Sequence, residues 1–308
     1  MSTQPIGTTV RHGSTTVVSV YGDGELRFTR TGHLSAFDAD PCPHEFAEIG
    51  RLRTDFAVKF FQMLDEHGIL NHFIKRHDSS NNSFIGHALR TMKLDGEKYI
   101  EVPTPAGSSV GRLIPLEWIV RREVATQGFI DRLADSDDPL TLERLQLPED
   151  TKLKVGDKIP PFVECTTKLE PKDRYLSDEE ALAISNLTKT QFMQAIQLMR
   201  HIAGLLLTQA AKNGLRIKDF KLELGHCDDG RIMVADGLSP DEFRMVDANE
   251  RSVDKDLFRN WLKERGFYKA VKNAQETGAP MPEYPVISPH ISRDISNGYA
   301  EAVRRFWQ

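Results

Sequence analysis

Long apolar runs are missing from this 308-residue chain: no stretch approaches the roughly 18 uninterrupted apolar residues that a membrane-crossing helix requires. The polar opening, residues 1–12, also lacks the apolar segment of a secretory signal, so a cytoplasmic protein is expected. Cysteine is scarce. Cys42, Cys165 and Cys227 stand far apart, with no Cys-x-x-Cys pair and no Cys/His ligand spacing, which excludes a disulfide-built miniature fold and points to reduced thiols. There is no excess of positive charge: 40 Lys and Arg stand against 45 Asp and Glu, and the basic residues are spread along the chain. That balance gives no electrostatic reason to expect a nucleic-acid groove or an anionic membrane surface, and it leaves room for a local Arg/Lys site on a small anion. Repeats and low-complexity tracts are absent as well.

What is present is an ordinary globular composition, long enough for about two lobes with an ample core. A β-branched stretch at residues 15–21, the turn Gly22-Asp23-Gly24 and an alternating run at 25–30 open the chain as a hairpin. A helix is expected over 51–67, with Leu52, Phe56, Phe60 and Met63/Leu64 on its buried stripe and Gly68 as its stop. Further strands are expected at 81–98 and 113–124, separated by a loop at 104–109 that is a candidate hinge. The charged stretch 131–158 reads as a solvated helix and loop. A long helix starts at Thr188, where Thr188 and Gln191 form a capping box, and ends at Asn213-Gly214. Its buried stripe is Phe192, Ile196, Met199, Ala203, Leu206 and Ala210. A Pro-rich segment at 278–289 leads to a last helix near 293–307.

The chemistry concentrates in residues 215–236. Phe220, Leu222 and Leu224 alternate with Lys221 and Glu223, the pattern of a strand with one wet face, so Lys221 and Glu223 point the same way. Asp228-Asp229-Gly230 then announces a hairpin, and a two-residue turn at Asp229-Gly230 sets Glu223 opposite Asp236. Two carboxylates on one face repel and want a cation, either Lys221 or a hard metal such as Mg²⁺ brought in with a nucleotide. A solvent-exposed hairpin with hydrated charges is the plainer alternative, and a one-residue bulge would break the register.

Three ordered motifs at 219–225 (DFKLELG), 236–244 (DGLSPDEFR) and 254–259 (DKDLFR) resemble the signature region of the phosphoribosylaminoimidazole-succinocarboxamide synthase, or SAICAR synthetase, family. The likeness extends over roughly residues 13–266. Leu34-Ser-Ala-Phe-Asp38 resembles the family's substrate loop, Asn71-His-Phe-Ile74 its next motif, and residues 114–121 the strand that leaves the hinge. Residues 160–170 are similar to its Pro-rich, lysine-bearing segment. The resemblance implies an α+β, two-lobed fold. An N-terminal antiparallel-sheet lobe, 1–106, would cover a nucleotide held by a C-terminal lobe, 107–308, with ATP in the cleft between them.

The implied activity uses ATP and Mg²⁺ to join the carboxylate of an aminoimidazole ribonucleotide to the amine of aspartate, a step of purine biosynthesis. A carboxylate is a poor acyl donor, so such a route makes an acyl phosphate first, with cations neutralising the moving charge. By the resemblance, Glu223 and Asp236 hold Mg²⁺, Lys168 and Lys221 meet the phosphates, and these four are the catalytic set. Ser14 and Thr15 lie in the loop over the phosphates, Leu113 offers backbone groups to adenine, and Glu117 reaches the ribose side. Asp38, Arg121, Gln127, Asp241, Arg244, Lys255 and Arg259 fall on substrate positions, and guanidinium forks suit carboxylate and phosphate. Without the resemblance, Lys168 is a solvated loop charge, Arg121 a partner for Glu123, Arg244 a partner for Asp241 or Glu242, and Asp38 and Asp241 are turn residues.

Some cleft positions depart from the family pattern. Gly13-Ser-Thr-Thr16 replaces a Gly-Lys loop that carries positive charge over the phosphates. Thr126-Gln127-Gly128 replaces a Gly-Ser turn, Gly237 stands where an acid usually follows the metal Asp, and Glu242-Phe243 replace small residues. The standard substrate is therefore in question. A paralogue acting on another heterocyclic carboxylate, such as a nucleoside-antibiotic intermediate, is one rival. A small-molecule kinase is another, since Asp219, Lys221 and Gly225 also resemble inositol polyphosphate kinases. A non-catalytic nucleotide-binding descendant is the third. A homo-oligomer stays open.

Overall fold

The computed structural model describes residues 4–37, 39–96, 98–170 and 172–308, so the expectation for Asp38 lies outside the described residues. The first half holds β1 (Thr9–His12), β2 (Thr16–Gly22), β3 (Glu25–Arg30), α1 (Ile49–Glu66), β4 (Phe73–Arg76), β5 (Ser83–His87), β6 (Thr91–Asp95) and β7 (Lys98–Val102). Five of these strands form an antiparallel sheet in the order β1-β2-β3-β5-β4, and β6 and β7 make a separate two-stranded ribbon. The opening hairpin thus forms as its β-branched pattern and Gly24, in the left-handed region at φ 72°, require. The strand expected at 81–98 is divided between β5 and β6.

The second half begins with β8 (Gly111–Glu123), α2 (Gln127–Ala134), β9 (Lys158–Thr167), β10 (Tyr175–Leu176), α3 (Asp178–Ser185) and α4 (Lys189–Lys212). It continues with β11 (Leu215–Cys227), β12 (Ile232–Ala235), β13 (Phe243–Asp247), α5 (Asp256–Glu264), α6 (Phe267–Thr277) and α7 (Pro289–Phe306). The sheet order is β10-β9-β8-β11-β12, with β13 also on β11. The Thr188 capping box forms at the start of α4, and Gly214 follows its end at φ 64°. Mixed helix and antiparallel sheet make the α+β class.

One continuous core joins the two sheets through α1, because its apolar stripe faces inward along the whole helix. Phe56, Phe60, Phe61 and Leu64 are fully buried there. Phe56 meets Phe243 at 5.6 Å and Phe306 of α7 at 5.0 Å, so the end of the chain closes on its beginning. Each such buried ring contributes roughly 1.5–3 kcal/mol of transfer free energy.

Two expectations are corrected here. The stretch 131–158 is more than a solvated face: Leu140 and Leu145 are buried with Val124, Phe129, Ile159 and Phe162 in a small second core. Their irregular spacing among charges hides them from periodicity arguments. The hairpin after β11 has a three-residue turn, in which Gly230 N donates to Cys227 O at 2.9 Å and Cys227 N to Arg231 O at 2.8 Å. Gly230 sits at φ 88°, the left-handed position that a three-residue turn needs. The pairing therefore slips by one, and Glu223 faces Ala235 rather than Asp236.

Candidate active site

A cleft of about 770 Å³ runs between the two sheets. Its wall is apolar around Val18, Leu26, Leu89, Met92 and Leu113, and charged around Arg30, Lys221, Glu223, Asp236 and Lys255. The volume is that of a small-molecule site, and the lining suits a ligand with both apolar and anionic parts.

The charged floor is built by sheet register. Glu117 of β8 pairs with Thr166 of β9 on one side and with Glu223 of β11 on the other, which sets two carboxylates side by side. Each has its own lysine. Lys221 Nζ, one pleat along β11, donates to Glu117 Oε1 at 2.7 Å. Lys168, just past the end of β9 with its side chain only 6% exposed, pairs with Glu223. Burial works against the charge on Lys221, yet Glu117 raises its pKa above the ordinary lysine value.

Asp236 leaves the end of β12 at φ 60°, and this turn, not strand pairing, brings it to the cleft. Its carboxylate accepts from Arg30 Nη2 at 2.8 Å and from the N–H of Gly237 at 2.6 Å. Burial pushes this group up, and Arg30 and Lys168 pull it further down, so it stays ionised. Neighbouring Asp241 is held by Arg53 at 2.7 and 3.0 Å and by the Tyr299 hydroxyl at 2.9 Å. Glu242, beside it on the cleft wall, is pushed up to about 7 by burial and by Asp241. Lys255 and Arg259 also line the cleft; burial and the nearby Arg259 and Arg244 lower Lys255 to about 8.

Ser14, Thr15, Leu113, Glu117, Lys221, Glu223, Asp236, Asp241, Lys255 and Arg259 thus meet in one place, whereas Lys168 reaches it through Glu223. Leu113 lines the cleft, and its N–H is already bonded to Arg90 O at 2.8 Å. Three substrate expectations lie off the cleft wall. Arg121 is buried, paired with Glu164 and with Asp219 at 3.1 Å, and Glu123 takes Arg216 and Lys218 instead. Arg244 donates to the same Asp219 at 2.7 Å, not to Asp241 or Glu242. Gln127 is exposed at the start of α2 and donates to Asp131 at 3.0 Å. Sequence reasoning missed Arg30 and Arg53. Arg53 left a signal, a charge in the apolar stripe of α1, which implies a buried partner. Arg30 left none.

No group of three or more His, Cys, Asp or Glu side chains suited to a metal ion occurs among the described residues. A Mg²⁺ carried by nucleotide phosphates needs only one or two protein carboxylates, and Glu223 and Asp236, both on the cleft wall, fit that smaller requirement.

The SAICAR synthetase family model matches residues 14–275. The phosphoribosylaminoimidazole-succinocarboxamide synthase of Thermoplasma acidophilum is 29% identical over 299 residues, covering 94% of this chain and 95% of that protein. The enzyme of the same name from Oceanobacillus iheyensis is 31% identical over 218 residues, 70% of this chain and 74% of that one. Among solved structures, a SAICAR synthetase in complex with ADP superposes with TM-score 0.61 at 27% identity, over 89% of this chain and 99% of its own. The SAICAR synthase of Saccharomyces cerevisiae complexed with SAICAR shares the fold, with TM-score 0.73 at 18% identity, over 99% of this chain and 97% of its own. Fold, cleft and relatives define an enzyme of the amide-forming ligase class with two antiparallel sheets about its site. More narrowly, the chain belongs to the SAICAR synthetase family.

Proposed function

We propose that this chain uses ATP to join aspartate, through its amine, to a phosphorylated heterocyclic carboxylic acid, by way of an acyl phosphate. The observation that carries this reading is the lysine on each of two adjacent carboxylates, in a cleft whose wall also carries apolar residues. The apolar part of the wall suits an adenine ring. Lys221 and Lys168 are placed to exchange their carboxylates for phosphate oxygens and to neutralise charge during phosphoryl transfer. Mg²⁺ bound by Glu223 and Asp236 would supply further charge neutralisation at the phosphates. Lys255 and Arg259, at the same cleft, suit the anionic groups of the second substrate. Arg244 and Arg121 would act from behind, through the shared Asp219.

The lobe boundary at 106/107 belongs to the same proposal, supported by a five-stranded sheet that ends at His87 and a larger one that starts at Gly111. So does a cytoplasmic location, supported by three free, buried cysteines. Among the described residues, no helix is long and apolar enough to cross a membrane. The test is mass spectrometry of purified protein with ATP, Mg²⁺, aspartate and a panel of heterocyclic carboxylates. An amide product with ADP supports the ligase; a stable phosphoester would mark a kinase, and no product a binding protein.

A further inference from the structure

Arg30 is the last residue of β3 and faces Thr16 across the opening hairpin, at the start of the strand that follows the loop of residues 13–16. Its side chain is 3% exposed, yet it lines the cleft. Nη1 donates to Thr16 Oγ1 at 2.7 Å, and Nη2 donates to Asp236 at 2.8 Å and to Gly237 O at 2.9 Å. A guanidinium carries five N–H donors, so two remain, and the buried Nε has no partner. Nε is sealed from solvent, so the donor left for a ligand in the cleft is the second hydrogen of Nη1.

The surroundings are shaped to this side chain. Gly237 has no Cβ, and one built there would come 2.9 Å from Arg30 Nη2 and 2.8 Å from Ala57 Cβ. The guanidinium therefore occupies the space that a side chain at 237 would need. The loop at 13–16, Gly-Ser-Thr-Thr, carries no positive charge of its own, and position 237 carries no side chain. An arginine entering from the adjacent strand brings a cation beside the first and fits against the second.

We propose that Arg30 is a phosphate-binding residue of this chain, supplying from β3 the positive charge that its glycine loop lacks, with Thr16 and Asp236 holding the guanidinium in position. The proposal rests on the ligase reading. It assigns Arg30 to the phosphates and not to the adenine or the second substrate.

Calorimetric titration with adenosine, ADP and a non-hydrolysable ATP analogue, each with Mg²⁺, tests it on the parent, Arg30→Met, Arg30→Gln, and Arg30→Met combined with Thr16→Lys. Loss of Arg30 is expected to weaken the ATP analogue about tenfold to a hundredfold and ADP less, and to leave adenosine unchanged. Thr16→Lys should restore most of the loss in the Arg30→Met background, because it returns a cation to the same contact. Arg30→Gln keeps a polar, though shorter, side chain beside Thr16 and Asp236, so it gives the answer should Arg30→Met fail to fold. Equal analogue affinity in parent and Arg30 variants, or an equal loss for adenosine, overturns the proposal alone. A parent chain that binds none of the three overturns the ligase reading and the proposal together.

Discussion

Glu223 stands directly opposite Glu117 across β8 and β11, and the two carboxylates are neutralised by different lysines, Lys168 on Glu223 and Lys221 on Glu117. Like charges at that separation repel, so neither lysine is a spare surface charge. The arrangement keeps two cations at the cleft floor, each held by one carboxylate.

Lys221→Met should leave Glu117 facing Glu223 with one cation between them. Turnover is expected to fall on the order of 10²–10³-fold, the usual effect of losing one transition-state charge contact. Urea unfolding should rank Lys221→Met below the double variant Lys221→Met with Glu117→Gln, since the second change removes the stranded charge. The reverse ranking would mean that Glu117 does not depend on Lys221.

Glu223 and Asp236 should behave as one unit despite lying on unpaired positions, because both face the same cleft and would serve the same ion. Glu223→Ala and Asp236→Ala are each expected to abolish most turnover, and the double variant to lose little more. Steady-state rates that multiply strictly would contradict a shared ion.

Asp219 is a single buried carboxylate bonded to two arginines, Arg121 at 3.1 Å and Arg244 at 2.7 Å. Asp219→Asn should cost about 3–5 kcal/mol, the range for stranding buried charge, as read by chemical denaturation. Burial pushes the Asp219 carboxyl up, and Arg244 and Arg121 more than reverse it, to below the ordinary 3.8. A carboxylate so depressed contributes stability that is present above about pH 4 and is lost as pH falls through its folded value. The parent should therefore lose an acid-side increment that Asp219→Asn lacks.

Glu242 should give the opposite sign. Burial and Asp241 raise it to about 7 from an ordinary 4.5, so it stays protonated in the folded chain while the unfolded chain ionises. Its contribution is full below about pH 4.5 and declines as pH rises to about 7, then levels off. Glu242→Gln should flatten that part of the profile of unfolding midpoints against pH. An unchanged slope between pH 4.5 and 7 would show that Glu242 is ionised throughout.

Local rules made much of this protein legible from its residues. The Thr188-Gln191 cap, the α1 stripe and the opening hairpin follow from period and from turn chemistry, which act within a few residues. The common face of Lys221 and Glu223 follows from the two-residue repeat of a strand. Register was decided elsewhere. Asp228-Asp229-Gly230 is compatible with a two- or a three-residue turn, and only the left-handed Gly230 with its bond to Cys227 selects the latter and moves Asp236 off the strand. The partners that give the site its chemistry are more distant still: Glu117 meets Lys221 across 104 residues, and Arg30 meets Asp236 across 206. No periodicity spans such separations. They exist because sheet pairing and one continuous core bring the chain's first strands onto its last, and the charges buried there then had to find one another.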